Sequence, residues 1–223
     1  MNNLQSLSYF YPELLLTVVI LAAIIYDLFL KSEDSDKVGL LLVFGLILVS
    51  ISLYMQDDGL TTTLFTDAIV LDPFSNFFKI IIVLSTILVS IFSLYNDELK
   101  DYRKGEYFTL LGIITFGLFL MVSSIDLVMV YLSIEIVSIM SFVLAGYLKQ
   151  NTRSNEAALK YVVYGSFSSG IMLFGLSYVY GLTGSTNFFQ IQQVLASSSE
   201  SSGPAIILSV VMILAGFGYK VSA

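Results

Sequence analysis

The sequence contains no cysteine and no histidine, and only 12% of its 223 residues are charged. Without thiols or imidazoles there is no disulfide framework, no thiolate-held iron–sulfur cluster and no histidine-held haem or zinc. Carboxylates remain as ligands for a hard cation, but no loop clusters them at ligand spacing. No cofactor and no metal is therefore expected on this chain. The net charge of −7 speaks against nucleic acid, which attracts basic faces. The scarcity of charge excludes more. A soluble domain is about 25% charged and about 45–50% apolar, whereas this chain is 57% hydrophobic with a mean hydropathy of +0.87. Too little polar surface is left to face water, so the lipid bilayer is its solvent and first partner. The opening segment, Met1 to Pro12, also lacks the basic region and small-residue cleavage site of a removable signal peptide, so the first apolar run reads as a retained span.

What is present is a series of apolar runs: 12–30, 38–55, 74–95, 107–123, 127–148, 157–182 and 205–223. Each is near the ~20 residues that a helix needs to cross ~30 Å of hydrocarbon. Helices are expected because every backbone group must be satisfied within its own segment. The fold class is thus an all-α polytopic membrane protein with about seven transmembrane helices, by that length rule. Pro12 and Pro204 stand at helix starts, and Asp72-Pro73 and Asn155 read as start signals for the third and sixth helices. Residues 123–126 leave room only for a tight hairpin between the fourth and fifth helices. In the longer linker, Phe188, Phe189, Ile191, Val194 and Leu195 have helical spacing and predict a short helix along the interface. The serine run 197–202 reads as a tether.

Orientation follows from loop cations. Lys31, Lys37, Lys100, Arg103, Lys104, Lys149 and Arg153 all fall in the first, third and fifth loops, and the even loops and the N-terminal tail hold none. The N-terminus is expected outside, with the basic loops in the cytoplasm of a cell whose inner membrane holds the chain. The even loops carry Asp57, Asp58, Asp67, Asp126 and Glu200 instead. Tyr54, Tyr95, Tyr107, Tyr147 and Tyr178 fall near span ends, as an aromatic belt does.

Charges inside the runs are the candidate functional groups, since each costs at least ~2.5–3.5 kcal/mol near the bilayer centre. Glu135 lies eight residues past Leu127, about 12 Å in at 1.5 Å per residue. It is either a titratable relay group or a structural carboxyl held by a neighbouring helix. Lys160, five residues past Asn155 and so about 7–8 Å deep, is either a relay group or a snorkelling side chain. Ser166, Ser168, Ser169, Gly165 and Gly170 make its helix unusually small and polar, through close packing or a hydrated track. Lys220 sits fifteen residues beyond Ala205, too deep to snorkel outward, and Gly216 and Gly218 before it predict a loosened helix. Lys79 is expected to snorkel, and Asp27 to form an interfacial ion pair near Lys31. Desolvation disfavours the charged form of either residue type, so buried lysines with a buried glutamate fit proton exchange better than metal or sugar transport.

These residues carry a resemblance. Tyr131-Leu-Ser-Ile-Glu135-Ile-Val-Ser138, Asn155-Glu-Ala-Ala-Leu-Lys160-Tyr-Val-Val-Tyr-Gly165-Ser and Gly216-Phe-Gly-Tyr-Lys220-Val-Ser222-Ala, in that order, resemble the antiporter-like subunits of respiratory NADH:quinone oxidoreductase (complex I). Pro12-Glu-Leu-Leu-Leu and Leu71-Asp-Pro-Phe74 are most similar to its subunit N branch. The resemblance implies a fold of about fourteen helices with two inverted repeats, each containing a broken helix, a layout known from transporters. Residues 1–105 would hold the three leading helices and 106–223 most of the first repeat, leaving the pathway incomplete on this chain alone. It also implies that Glu135, Lys160 and Lys220 form a proton relay in a hydrated half-channel. Its partners would be other membrane subunits of the complex, whose redox chains, not this one, use the quinone. The competing reading is a subunit of a multi-subunit cation/proton antiporter, which shares the glutamate and lysine motifs, and a third is a passive scaffold.

Overall fold

The computed structural model describes residues 3–31, 34–56, 59, 61–96, 99, 102–197 and 203–221. Lys100, Asp57, Asp58, Glu200 and most of the serine tether lie outside the described residues. Within them the chain forms α1 (Asn3–Tyr9), α2 (Tyr11–Phe29), α3 (Asp36–Gln56), β1 (Thr62–Leu64), β2 (Ile69–Leu71), α4 (Pro73–Leu94), α5 (Lys104–Ser123), α6 (Leu127–Ala145), α7 (Thr152–Thr183), α8 (Phe188–Ser197) and α9 (Gly203–Lys220). Among the described residues, seven helices are long and apolar enough to cross a membrane: α2 to α7, and α9. The protein is a multi-pass membrane protein.

The start of α4 is encoded at Asp72-Pro73, as expected. The Asp72 carboxylate accepts from the Ser75 backbone N–H at 2.8 Å, and Ser75 returns the contact, closing a capping box. The start of α7 differs from expectation. The cap is Asn151, whose side chain accepts from the Arg153 N–H at 3.0 Å, and Asn155 lies one turn inside, donating back to the Lys149 carbonyl. α7 thus runs for 32 residues, about 47 Å at 1.5 Å per residue. That exceeds the ~30 Å of hydrocarbon, so α7 tilts or projects beyond it.

The apolar core joins α2, α3, α4 and α5 around Leu16, Leu42, Leu46, Val83, Phe108 and Phe119. α5 also packs on α6, α6 on α7, and α7 on α9. The outward faces stay apolar, with Phe29, Phe44, Phe92 and Phe167 exposed. Such a surface suits lipid and not water.

Two polar ends cap the bundle. At one end, Arg103 Nε lies 3.1 Å from the Asp27 carboxylate, and Lys104 pairs with Asp36 and donates to the Leu94 carbonyl, both at 3.0 Å. Asp27 is therefore an ion-pair residue, but its partner is Arg103 from the third loop and not Lys31. Gly105 leaves room for that carboxylate, because a Cβ would stand 1.9 Å from Asp27 Oδ1 and displace it from Arg103. The Tyr147 hydroxyl donates to the Arg103 carbonyl. Its phenol is pushed up to about 12, first by burial and then by the charge of Glu106.

At the opposite end stands a feature not anticipated in the sequence. β1 and β2 form a small antiparallel hairpin, Thr62 opposite Leu71, turned through left-handed Phe65, Thr66 and Asp67. The Ile125 N–H donates to the Ala68 carbonyl and the Asn187 amide to the Asp67 carbonyl, tying the hairpin to the α5–α6 turn and the segment before α8. The predicted interfacial segment is α8, which buries Ile191.

Candidate functional site

α6 is started by Asp126, whose carboxylate accepts from the Val128 and Met129 N–H groups at 2.9 and 3.2 Å. This fixes Glu135 two turns in. Ser138, one turn further, donates its hydroxyl to the Ile134 carbonyl at 2.8 Å and leaves its lone pairs facing α9. α7 brings Ser168 and Ser169 alongside. Gly216 lets α9 approach. A Cβ there would lie 2.5 Å from Met172 Cβ, and the Ser168 hydroxyl donates to the Gly216 carbonyl at 3.0 Å. α9 stays helical through Gly216 and Gly218 up to Lys220, so the expected loosening is absent. The i→i−4 hydrogen-bond ladder tolerates both glycines, and close approach of α7 is the use of the first.

These elements converge on Lys220. Its ammonium donates to Glu135 Oε1 at 3.1 Å, to the Ser138 hydroxyl at 2.6 Å and to the Ser169 hydroxyl at 2.8 Å. All three ammonium protons are thereby used. The Ser169 hydroxyl in turn donates to Glu135 Oε1 at 2.5 Å, so a serine bridges acid and base beside their direct contact. The pair is partly accessible, at 12% for Lys220 and 21% for Glu135. The two groups face different spaces. Glu135 lines a groove of about 700 Å³ between α6 and α7 that reaches Asn155, and Lys220 lines a cavity of about 190 Å³ with Met121, Ser141 and Tyr161.

Lys160 is not brought into this cluster. Its ammonium pairs with Glu156, four residues back on α7, at 2.6 Å, with both side chains about two-thirds exposed, at 66% and 64%.

A second buried pair escaped the sequence reading. Lys79 Nζ lies 2.5 Å from Glu13 Oε1, with side-chain exposures of 2% and 3%. Lys79 does not snorkel. It is among the largest fully buried side chains of the described residues, and its ammonium stands 5.9 Å from the centre of the Phe119 ring. A usable signal was present: two opposite charges inside different spans, neither with an opposite charge within a helical turn.

Comparison with known proteins bears on this arrangement. Residues 124–223, which hold Glu135, Lys160 and Lys220, match the family described as NADH:quinone oxidoreductase/Mrp antiporter, transmembrane. Over these residues the chain is similar to that family. Over 216 residues it is 41% identical to NADH-quinone oxidoreductase subunit N 2 of Chloroherpeton thalassium, covering 96% of this chain and 42% of that protein. It is 36% identical to F(420)H(2) dehydrogenase subunit N of Methanosarcina mazei, covering 98% of this chain and 45% of the relative. The fold is similar to a chain of respiratory complex I from Thermus thermophilus, with a TM-score of 0.73 at 22% identity, over 93% of this chain and 43% of that one. It is also similar to a chain of an archaeal membrane-bound sulfane sulfur reductase, with a TM-score of 0.77 at 18% identity, over 95% and 44%. At these identities the two structures establish the antiporter-like fold alone. The chain spans less than half the length of each of these proteins.

Proposed function

We propose that this chain is a proton-translocating membrane subunit of an NADH:quinone oxidoreductase, with Glu135 and Lys220 as the proton-exchanging pair. The observation that carries the reading is the convergence of the Lys220 ammonium on Glu135, Ser138 and Ser169. A charge pair bridged by a hydroxyl lets a proton pass without either partner being stranded, since Ser169 both donates and accepts. Glu135 is partly accessible from the α6–α7 groove and Lys220 from the cavity beside Ser141 and Tyr161, so each has room to exchange a proton. Redox chemistry belongs to other subunits, which are also its lateral partners, and this chain uses no cofactor of its own. The translocase activity is therefore that of the assembled enzyme.

Lys160 extends the relay toward the basic-loop end of α7 in this reading. Its salt bridge to Glu156 lies on an exposed face of α7, where a proton donor can reach it. The basic loops lie in the cytoplasm and the hairpin end outside. The meeting of Arg103, Lys104 and Tyr147 at one end with the first loop supports a single basic face.

The alternative is a cation/proton antiporter subunit, which the family's own description includes. The names of the relatives favour the oxidoreductase. The deciding experiment assembles the full-length protein with its partner subunits in proteoliposomes and adds NADH. Proton uptake that needs NADH and a quinone supports the proposal. Uptake driven by a sodium gradient without NADH would replace it with the antiporter.

A further inference from the structure

The Glu13–Lys79 pair takes no part in the cluster around Lys220, and nothing in the family comparison involves it. It lies in the α2–α5 bundle, where Leu16, Val49, Val83 and Phe119 are all fully buried. Toward the basic-loop end, the fully buried Val83 occupies the next turn of α4 below Lys79, and the polar groups beyond it, Thr86 bonded to Thr115 and the unpartnered Ser90 hydroxyl, stand two to three turns away. Toward the hairpin end the surroundings change character. Asn76, one turn above Lys79 and 4% exposed, donates its amide N–H to the Leu53 carbonyl at 3.1 Å, but its Oδ1 is buried without a partner. Gln56, one turn beyond Leu53, donates to the Tyr9 carbonyl and likewise keeps Oε1 buried and unpartnered. Thr62, at the start of β1, adds a third such oxygen.

A buried acceptor without a donor costs about 1–3 kcal/mol. Of the five buried unpartnered oxygens among the described residues, Gln56 Oε1, Thr62 Oγ1 and Asn76 Oδ1 belong to the hairpin end of α3, β1 and α4, and close packing alone does not explain that concentration. Two are amide oxygens, which accept only, and such oxygens take water or hydronium. The other charged and titratable groups near this end are few among the described residues. They are Tyr9, whose carbonyl accepts from Gln56, Tyr11, whose hydroxyl donates to the Ser52 carbonyl, Tyr54, which points outward, Asp72, held in the α4 cap, Asp67 in the hairpin turn, and Asp126, held in the α6 cap. On α5 the neighbour is the Phe119 ring, and Asp27, Asp36, Lys104, Glu106 and Tyr107 all lie at the far end.

We propose that Glu13–Lys79 is a second proton-binding site, reached only from the hairpin end past Gln56, Thr62 and Asn76. Uptake converts carboxylate and ammonium into carboxylic acid and ammonium: hydronium gives its proton to Glu13 and leaves as water. Lys79 keeps its charge in the protonated state because the Phe119 ring faces it, a contact that strengthens when desolvated. The site is closed on the basic-loop side, so it stores a proton without conducting one. It stands on its own groups and does not depend on the function proposed for Glu135 and Lys220.

The test is infrared difference spectroscopy of the full chain in lipid nanodiscs, titrated from alkaline to acid pH. A carbonyl stretch of a protonated carboxyl should appear that is lost in Glu13→Gln and kept in Glu135→Gln. Asn76→Leu keeps the pair and blocks the approach, and it should slow hydrogen–deuterium exchange of that band severalfold. A spectrum unchanged by Glu13→Gln would make the pair a permanent staple between α2 and α4 and overturn the proposal. Should Glu13→Gln fail to fold, Asn76→Leu decides, and exchange at the wild-type rate would overturn it equally. Either failure leaves the Glu135 band, and hence the reading of that pair, untouched.

Discussion

The Lys220 ammonium lies 3.1 Å from the Glu135 carboxylate across 85 residues of sequence, and Ser169 is hydrogen-bonded to both. At that distance the Coulomb attraction at an effective dielectric of ~20 is about 5 kcal/mol and halves at twice the distance. A shift of α9 against α6 by a few ångströms therefore removes a large part of the attraction that holds the two charges together. The geometry places the groups where such a shift matters.

Replacing Glu135 by Gln preserves shape and hydrogen bonding to Ser169 but removes the exchangeable proton. The full-length Glu135→Gln protein should assemble normally and lose most of its proton pumping. Protons translocated per NADH oxidised, beside the amount of assembled complex, check this. Pumping at the wild-type ratio would make Glu135 structural.

Gly216 sets the distance between α9 and α7. Gly216→Val pushes its side chain into Met172 and the Ser168 carbonyl, an overpacking that costs about 1–3 kcal/mol. It should lower the melting temperature in detergent and weaken pumping without altering any titratable group. A variant with normal stability and normal pumping would show that close α7–α9 contact is dispensable.

Seven spans were legible because bilayer thickness sets a length that composition alone reveals, and Asp72 was legible because capping is local. Glu135 and Lys220 were legible as candidates for a different reason, that neither has another tolerable environment so deep in a span, while their contact across 85 residues is visible only in the fold. The same logic failed for Lys79. Its depth fits snorkelling, and only the tertiary fold reveals that Glu13 on α2 faces it. Glu13 itself sits two residues into its helix, where an acidic residue is unremarkable. Asp27 was paired with Lys31 by proximity in sequence, whereas Arg103 reaches it through the fold, 76 residues away. The hairpin at 62–71 was missed because three-residue strands are too short to show alternation. Asn155 was read as the cap because polar residues 152–156 hide a helix that begins outside the apolar run.

Alkaline pH should reveal Tyr147. Its phenol ionises at about 12, above the ordinary 10.0. A raised value in the folded state means that its contribution to stability is full below pH 10 and is lost as pH rises through about 12. Tyr147→Phe should therefore flatten the fall in melting temperature over that interval. An identical fall in both proteins would contradict the assignment.

Topology is accessible because the chain has no cysteine of its own. Thr63→Cys at the hairpin end should react with an impermeant thiol reagent from outside intact cells, and Lys149→Cys, on the basic face, only after permeabilisation. The reverse pattern would invert the orientation.

The central claim, that Lys220 exchanges its proton and does not merely hold a charge, is tested most directly by comparing Lys220→Arg with Lys220→Met in the assembled enzyme. Guanidinium keeps the charge and does not deprotonate in proteins. The measurement is protons taken up per NADH oxidised in proteoliposomes. The account predicts that both variants are impaired in pumping, the arginine protein despite its intact charge. Normal pumping by Lys220→Arg with loss in Lys220→Met would show that a fixed positive charge suffices, and proton exchange at Lys220 would be refuted.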